Sequence, residues 1–344
     1  MISPTNRPKQ EPKEGFKQNW IIYTIVGGLF LLLFSEINEA VNAPKRTIPA
    51  LKEDTWTAPS LFTDALLEGE ERKLIIYGEE LIANTAKYLG PKGSVASVTN
   101  GMNCQNCHLD AGRKTWGNNY GAVSANYPKF RERSGSVENV YKRVSDCMER
   151  SLNGQALDSN TREMQAMVAY IKWIGQEVEK NTTPKGTGIA PPKYLDRAAS
   201  PEKGLEVYTQ KCQSCHGADG QGLMAADGRS YTYPPLWGPH SYNSGAGLFR
   251  LSRFAGYVRD NMPLNQASHD APALTDAEAW DVAAYVNTRP RPSKDLTGDW
   301  PNISKKPVDH PFGPYADGFS EQQHKFGPFP PIIEARKKQN PSTP

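Results

Sequence analysis

A chain of 344 residues is too long for one small core and suits two domains with tails. Its 40 Lys and Arg against 37 Asp and Glu leave a net charge of +3. With no long basic run and no base-stacking module, that balance argues against nucleic acid as a partner. Frequent Pro and Gly beside plentiful aromatics predict irregular backbone that packs rather than disorder.

At the N-terminus Arg7, Lys9, Lys13 and Lys17 precede the uncharged run NWIIYTIVGGLFLLLFS, residues 19–35. That length is at the lower limit for a membrane span and slightly above a usual signal segment. Positive charge ahead of it and a polar body behind it predict export of the body. A cut after Ala43 would leave Pro44 next in line, which is unfavourable to signal peptidase, so a retained anchor is expected over a cleaved leader. The expected location is the periplasmic side of the inner membrane.

Residues 68–90 read as an amphipathic helix, with Leu74, Ile75, Leu81, Ile82, Ala86 and Leu89 at helical spacing and Gly90-Pro91 as the stop. A second helix lies in NTREMQAMVAYIKWIGQEV, with Asn160 and Glu163 as a capping pair and Met164, Met167, Ile171 and Ile174 on one face. Residues 181–199 are rich in Pro, Thr and Gly and read as a linker. The pattern then repeats. Ser200 caps a helix with Pro201 at its first position, and Thr275 with Glu278 forms a capping box before Trp280, Ala283 and Val286.

Each half carries one C-x-x-C-H: CQNCH at 104–108 and CQSCH at 212–216. This motif marks covalent haem c attachment. Two thiols on one turn, Cys104 with Cys107 and Cys212 with Cys215, reach the two vinyl groups of one porphyrin. The adjacent His108 or His216 then turns its imidazole to the iron. Four of the five cysteines are consumed in this way, which leaves no disulfide. In the second half Met262, in the loop NMPL, is the expected distal ligand. A core methionine is the bland alternative, and Met224 follows His216 too closely. The first half has no such loop; Cys147 and Met148 occupy the corresponding stretch. A thiolate ligand there would depress the potential, whereas Met262 would raise it.

Positive charge gathers around Cys147. Arg113, Lys114, Lys129, Arg131, Arg133, Lys142, Arg143 and Arg150 fall between Gly112 and Ser151 against four acidic residues. If 138–151 is helical, Arg143, Cys147 and either Arg150 or Ser151 share one face. A guanidinium one turn from a thiolate can hold that form and neutralise an incoming anion. A solvated face, or contact with haem propionates, is the plainer reading of any single arginine.

The stretch SDCMERSLNGQAL, the two haem motifs, NMPL and the tail KPVDHPFGPYADGFSEQQHKFGPFPPI together resemble the dihaem cytochrome c thiosulfate dehydrogenases over about residues 70–335. The resemblance implies an active-site haem ligated by His108 and Cys147, with a thiosulfate pocket formed by Arg133, Arg143 and Ser151. It implies that two thiosulfates are joined into tetrathionate, or the reverse. A second haem, ligated by His216 and Met262, would exchange electrons with a soluble or membrane cytochrome. Some relatives carry a lysine before that methionine. Asn261 stands there in this chain, so Met262 is expected to serve in both redox states.

The expected fold is mostly α: two cytochrome c-type domains in tandem, with an N-terminal membrane or signal helix and an irregular C-terminal tail. The expected boundaries are a basic segment at 1–18, the anchor or signal at 19–37 and a juxtamembrane linker at 38–68. The first domain at 69–180 and the second at 200–292 flank the linker 181–199, and the tail runs over 293–344. Two alternatives stand beside this reading. One is a membrane-tethered dihaem electron carrier without substrate chemistry. The other is a cysteine-ligated cytochrome that conjugates thiosulfate to a carrier protein.

Overall fold

The structure, a computed structural model, describes residues 55–61 and 68–339. The basic segment, the uncharged run at 19–35 and most of the juxtamembrane linker lie outside the described residues. Among the described residues no helix is long and apolar enough to cross a membrane.

The first domain begins with helix α1 (Gly69–Ala83) and the short α2 (Thr85–Leu89). The sequence predicted one helix here; Asn84, at φ −125° and ψ 42°, breaks it in two. After the haem motif come the antiparallel strands β1 (Lys129–Arg131) and β2 (Ser136–Glu138), paired Lys129 to Glu138. They lead into α3 (Val140–Arg150) and α4 (Arg162–Ile174). The side chain of Asn139 accepts from the Lys142 N–H and caps α3, so the helix starts two residues later than expected. The cap of α4 is Thr161, which accepts from the Met164 N–H, and Asn160 lies in the turn before it.

The second domain comprises α5 (Pro201–Lys211), the short strands β3 (Leu223–Met224) and β4 (Tyr231–Tyr233), α6 (Leu251–Asn261) and α7 (Asp276–Asn287). Ser200 caps α5 with Pro201 in its first turn, and the Thr275–Glu278 capping box opens α7. Both features match the sequence reading. In each half the first helix crosses the last at a glycine. A Cβ on Gly78 would stand 2.0 Å from the Ala166 carbonyl oxygen, and one on Gly204 would stand 1.9 Å from that of Asp281. Such an approach admits only hydrogen at that position. The duplicated frame therefore rests on α1 against α4 and α5 against α7.

Each crossing anchors its own core. Ile75, Leu81, Ile82, Met164, Met167 and Ile174 are buried in the first; Tyr208, Leu251, Phe254, Trp280 and Val286 are buried in the second. Burying each large apolar side chain contributes roughly 1.5–3 kcal/mol, which makes these faces the main source of stability. The segment 181–199 is not a free spacer: Ile189, Ala190 and Ala199 are buried.

The tail departs from the irregular segment expected. It contains α8 (Glu321–Phe326) and α9 (Pro330–Gln339). Phe329 and Ile332 enter the second core, while Asp299 and Trp300 reach the first domain. Asp299 pairs with Arg150 through two contacts of 2.7 Å, and the Trp300 N–H donates to the Arg133 carbonyl at 2.7 Å.

Candidate functional site

A cavity of about 360 Å³ opens in the first domain, lined by Cys104, Cys107, His108, Arg143, Cys147 and Ser151 among others. An adjoining cavity of about 260 Å³ shares Cys107, His108, Arg143, Cys147 and Ser151 with it and adds Arg133. One compact unit, the β1–β2 hairpin followed by α3, delivers the basic side chains and the thiol. Gly135, at φ +63°, turns the hairpin, and its N–H donates to the Arg131 carbonyl at 2.9 Å. Arg133 projects from that turn, and α3 sets Arg143 one helical turn before Cys147. Ser151 ends the helix with its N–H on the Cys147 carbonyl at 2.8 Å.

His108 forms the other side. Its Nδ1 lies 2.5 Å from the Asn118 carbonyl. A carbonyl can only accept, so Nδ1 carries the proton and Nε2 is left as the donor atom for a metal. Burial pushes the His108 pKa down to about 4, which keeps the imidazole neutral, as a ligand must be. The ring stacks on Tyr120 at 4.5 Å. Thr85 Oγ1 accepts the Cys104 N–H at 3.0 Å, and Asn103 and Asn106 cap the turn that holds the two thiols.

The second domain repeats the arrangement with an apolar wall. Cys212, His216 and Met262 line one cavity with Tyr208, Leu236 and Phe254, and Cys215 borders a neighbouring opening together with Cys212, His216 and Met262. His216 Nδ1 lies 2.9 Å from the Pro234 carbonyl, so its Nε2 is also free to ligate. Met224 is exposed on β3 and lies outside this cavity. Asn261 is fully buried, and its Nδ2 donates to the Trp116 and Tyr257 carbonyls at 3.1 and 3.0 Å. In both domains paired thiols, a neutral histidine with one committed nitrogen and a cavity beside them fit covalent haem c.

The cations differ in what already holds them. Arg150 shares a face with Cys147 in sequence, but Asp299 occupies it. Arg133 is mostly buried, 3.7 Å from Asp146 and 3.4 Å from the Gly245 carbonyl. Burial, with Arg150 and Arg143 nearby, pushes its pKa down to about 10. The Arg143 guanidinium makes no ion pair and no hydrogen bond among the described residues. The charge of the neighbouring Cys147 raises its pKa, against the opposing effect of burial. A guanidinium with no ion pair or hydrogen bond of its own, beside a thiol in a cavity, is a site for an anion. Trp300 and Arg253 also border the second of these cavities. Sequence reasoning missed both, because they come from the tail and the second domain and no local pattern marks them.

Residues 94–179 match the family described as SoxA/TsdA, cytochrome c domain, and residues 201–290 match Cytochrome c. The thiosulfate dehydrogenase of Allochromatium vinosum is 37% identical over 250 residues, covering 71% of this chain and 87% of the relative. That of Psychrobacter arcticus is 36% identical over 209 residues, 60% of this chain and 62% of the relative. The solved structure of thiosulfate dehydrogenase TsdBA from Marichromatium purpuratum, in its as-isolated form, superposes with a TM-score of 0.63 at 30% identity. The match covers 80% of this chain and 54% of that one. The chain thus spans less than two thirds of the length of these last two relatives. Two cytochrome c domains, each with its own attachment motif, carry two covalently bound haem c groups.

Proposed function

The chain belongs to the thiosulfate dehydrogenase family, and from that membership we propose that it joins two thiosulfates into tetrathionate with release of two electrons, or runs the same reaction in reverse. The observation that carries this reading is Arg143, free of any carboxylate, one helical turn from Cys147 in a cavity whose other side is His108. A pure electron carrier would leave that unpaired, half-buried charge only the haem carboxylates to bind.

Each substrate is a dianion, so bringing two together needs cations aimed at the place where they meet. Arg143 supplies a full charge. Arg133, partly satisfied by Asp146, supplies a weaker one, and the Ser151 hydroxyl offers a neutral donor. We assign His108 and Cys147 as the ligands of the first haem and His216 and Met262 as those of the second. When bound, the two haems supply one-electron chemistry, two equivalents in all, which matches the two electrons released by forming one S–S bond. The Asn118 and Pro234 carbonyls hold the imidazoles in the tautomer that ligation needs. The thiolate ligand lowers the potential of its site and the thioether raises that of the other.

Buried Asn261 is held by two carbonyls and offers no amine to exchange with Met262, so methionine ligates in both redox states. The proposed electron partner is a cytochrome. Arg7 to Lys17 before the uncharged run 19–35 support a location outside the cytoplasm, anchored to the inner membrane from its periplasmic side.

The test is product formation by the purified dihaem protein. With ferricyanide as oxidant, thiosulfate should yield tetrathionate; with reduced viologen, tetrathionate should yield thiosulfate. Haems that exchange electrons freely while neither product forms would return the protein to the carrier class.

A further inference from the structure

The thiosulfate pocket described so far belongs wholly to the first domain, yet its border does not. Arg253, the third residue of α6 in the second domain, lines both cavities that hold His108, Arg143, Cys147 and Ser151. Every other arginine on the border of the adjoining cavity, Arg143 apart, has an acidic neighbour. Arg250 contacts Asp309 through Nε at 2.9 Å and Nη2 at 2.5 Å. Arg131 stands 3.9 Å from Glu138, and Arg133 stands 3.7 Å from Asp146. Arg253 has no ion pair and no side-chain hydrogen bond among the described residues.

Its backbone is nevertheless fixed. Asp309 accepts the Ser252 N–H at 3.0 Å and the Ser252 hydroxyl at 2.5 Å, pinning the start of α6. The Arg253 N–H bonds the Arg250 carbonyl at 3.1 Å. The Arg253 side chain is exposed, opening into the space of both cavities. Partial desolvation lowers its pKa, with Arg250, Arg143 and Arg131 adding repulsion and Asp309 opposing it. A rigid base, a free guanidinium and surrounding like charges make a position that gains from a bound anion.

We propose that Arg253 is an anion-binding residue of the catalytic cavity, supplied across the domain boundary to hold one thiosulfate of the reacting pair or the matching end of tetrathionate. The inference rests on the reading of the cavity as the thiosulfate site and adds a contact from the other domain. Two dianions bring four negative charges, and Arg143 with a half-satisfied Arg133 does not balance them. Arg253 adds a full cation on the side opposite α3's own domain, where a second anion can approach the first.

The experiment is equilibrium binding of thiosulfate to the oxidised dihaem protein, by calorimetry, for the parent, Arg253→Gln and Arg253→Lys. Haem content and the spectra of both haems are checked in each. The expected result is a ten- to hundredfold weaker affinity in Arg253→Gln, roughly the loss of one charged hydrogen bond, and partial recovery in Arg253→Lys. Steady-state assays should show KM for thiosulfate rising more than kcat falls. Equal affinity in parent and Arg253→Gln overturns the proposal. So does a shifted potential of the first haem with affinity unchanged, which would make Arg253 a partner of haem carboxylates. A parent that binds no thiosulfate also overturns it. A parent that binds thiosulfate with the expected Arg253 dependence, yet forms no tetrathionate, leaves this inference standing and overturns the proposed reaction.

Discussion

Two arginines ten residues apart, Arg133 and Arg143, can look equivalent in sequence and differ in chemistry. The Arg143 guanidinium makes no ion pair or hydrogen bond among the described residues, whereas Arg133 divides its charge between Asp146 and the Gly245 carbonyl. Arg143→Gln should therefore lower kcat/KM for thiosulfate by about 100-fold, the usual cost of removing one donor aimed at developing charge. Arg133→Gln should cost closer to tenfold on the same scale. Arg143→Lys should recover only part, because an ammonium lacks the guanidinium fork. Steady-state kinetics on haem-loaded variants checks all three. The sequence showed Cys147 and Arg143 at helical spacing, and that spacing survives in α3. It could not show that Arg150, equally close to Cys147, is claimed by Asp299 from 149 residues away. The haem motifs were legible because attachment demands a fixed local spacing; Arg253 was not, because the cavity it borders is built by the other domain.

At the level of elements, the two helix crossings and the tail carry the account. Gly78→Ala forces a methyl against the Ala166 carbonyl and should destabilise the first domain by about 1–3 kcal/mol, the range for overpacking, read as a lower urea midpoint. Gly204→Ala should do the same in the second. The crossings could be anticipated from capping and periodicity, since Ser200, Pro201 and the Thr275–Glu278 box act locally. The β1–β2 hairpin could not, because its strands are three residues each and mostly exposed, with neither alternation nor a hydrophobic run to mark them. The tail's Pro, Gly and aromatic content pointed to a segment that wraps the two domains, but its contacts were hidden: Asp299, Trp300 and Asp309 act through residues far behind them in sequence.

The tail also predicts a response to acid. His310 packs edge-on to Trp300 at 5.9 Å, and burial pushes its pKa from 6.5 down to about 4. Burial would raise the nearby Asp309 carboxyl, but Arg250 and the Ser252 hydrogen bonds overcome it and hold the pKa below its usual value. As pH falls from about 6.5 to about 4, the unfolded chain binds a proton at His310 that the folded chain refuses, so stability falls through that window. Asp309 adds a further loss below it. The His310 share is at most about 3 kcal/mol. Urea unfolding followed by circular dichroism should show the loss between pH 7 and 4.5 shrinking in His310→Gln.

On the scale of the whole molecule, the two haem sites share a wall. Cys107, an attachment residue of the first haem, also lines the cavity of the second. Tyr257 on α6 donates its hydroxyl to the Asn106 carbonyl at 3.1 Å, and Asn261 bonds Trp116 across the same boundary. Helix α6 thus begins at the cationic cavity with Arg253 and ends at Met262. A tandem repeat read from sequence does not reveal such an interlocked pair, because repetition says nothing about which faces meet. The cationic cavity gives this scale its own prediction. KM for thiosulfate should rise several-fold between about 0.02 and about 0.5 M salt while kcat changes little, since screening weakens the attraction of a dianion.

The most direct test of the central claim, that the cavity between His108 and Cys147 is where thiosulfate reacts, is tetrathionate formation by Cys147→Ala with both haems verified by mass. The account predicts at least a 100-fold loss of kcat/KM, on the scale of removing one essential group, while the second haem still exchanges electrons with an artificial donor. Full turnover by that variant would contradict it.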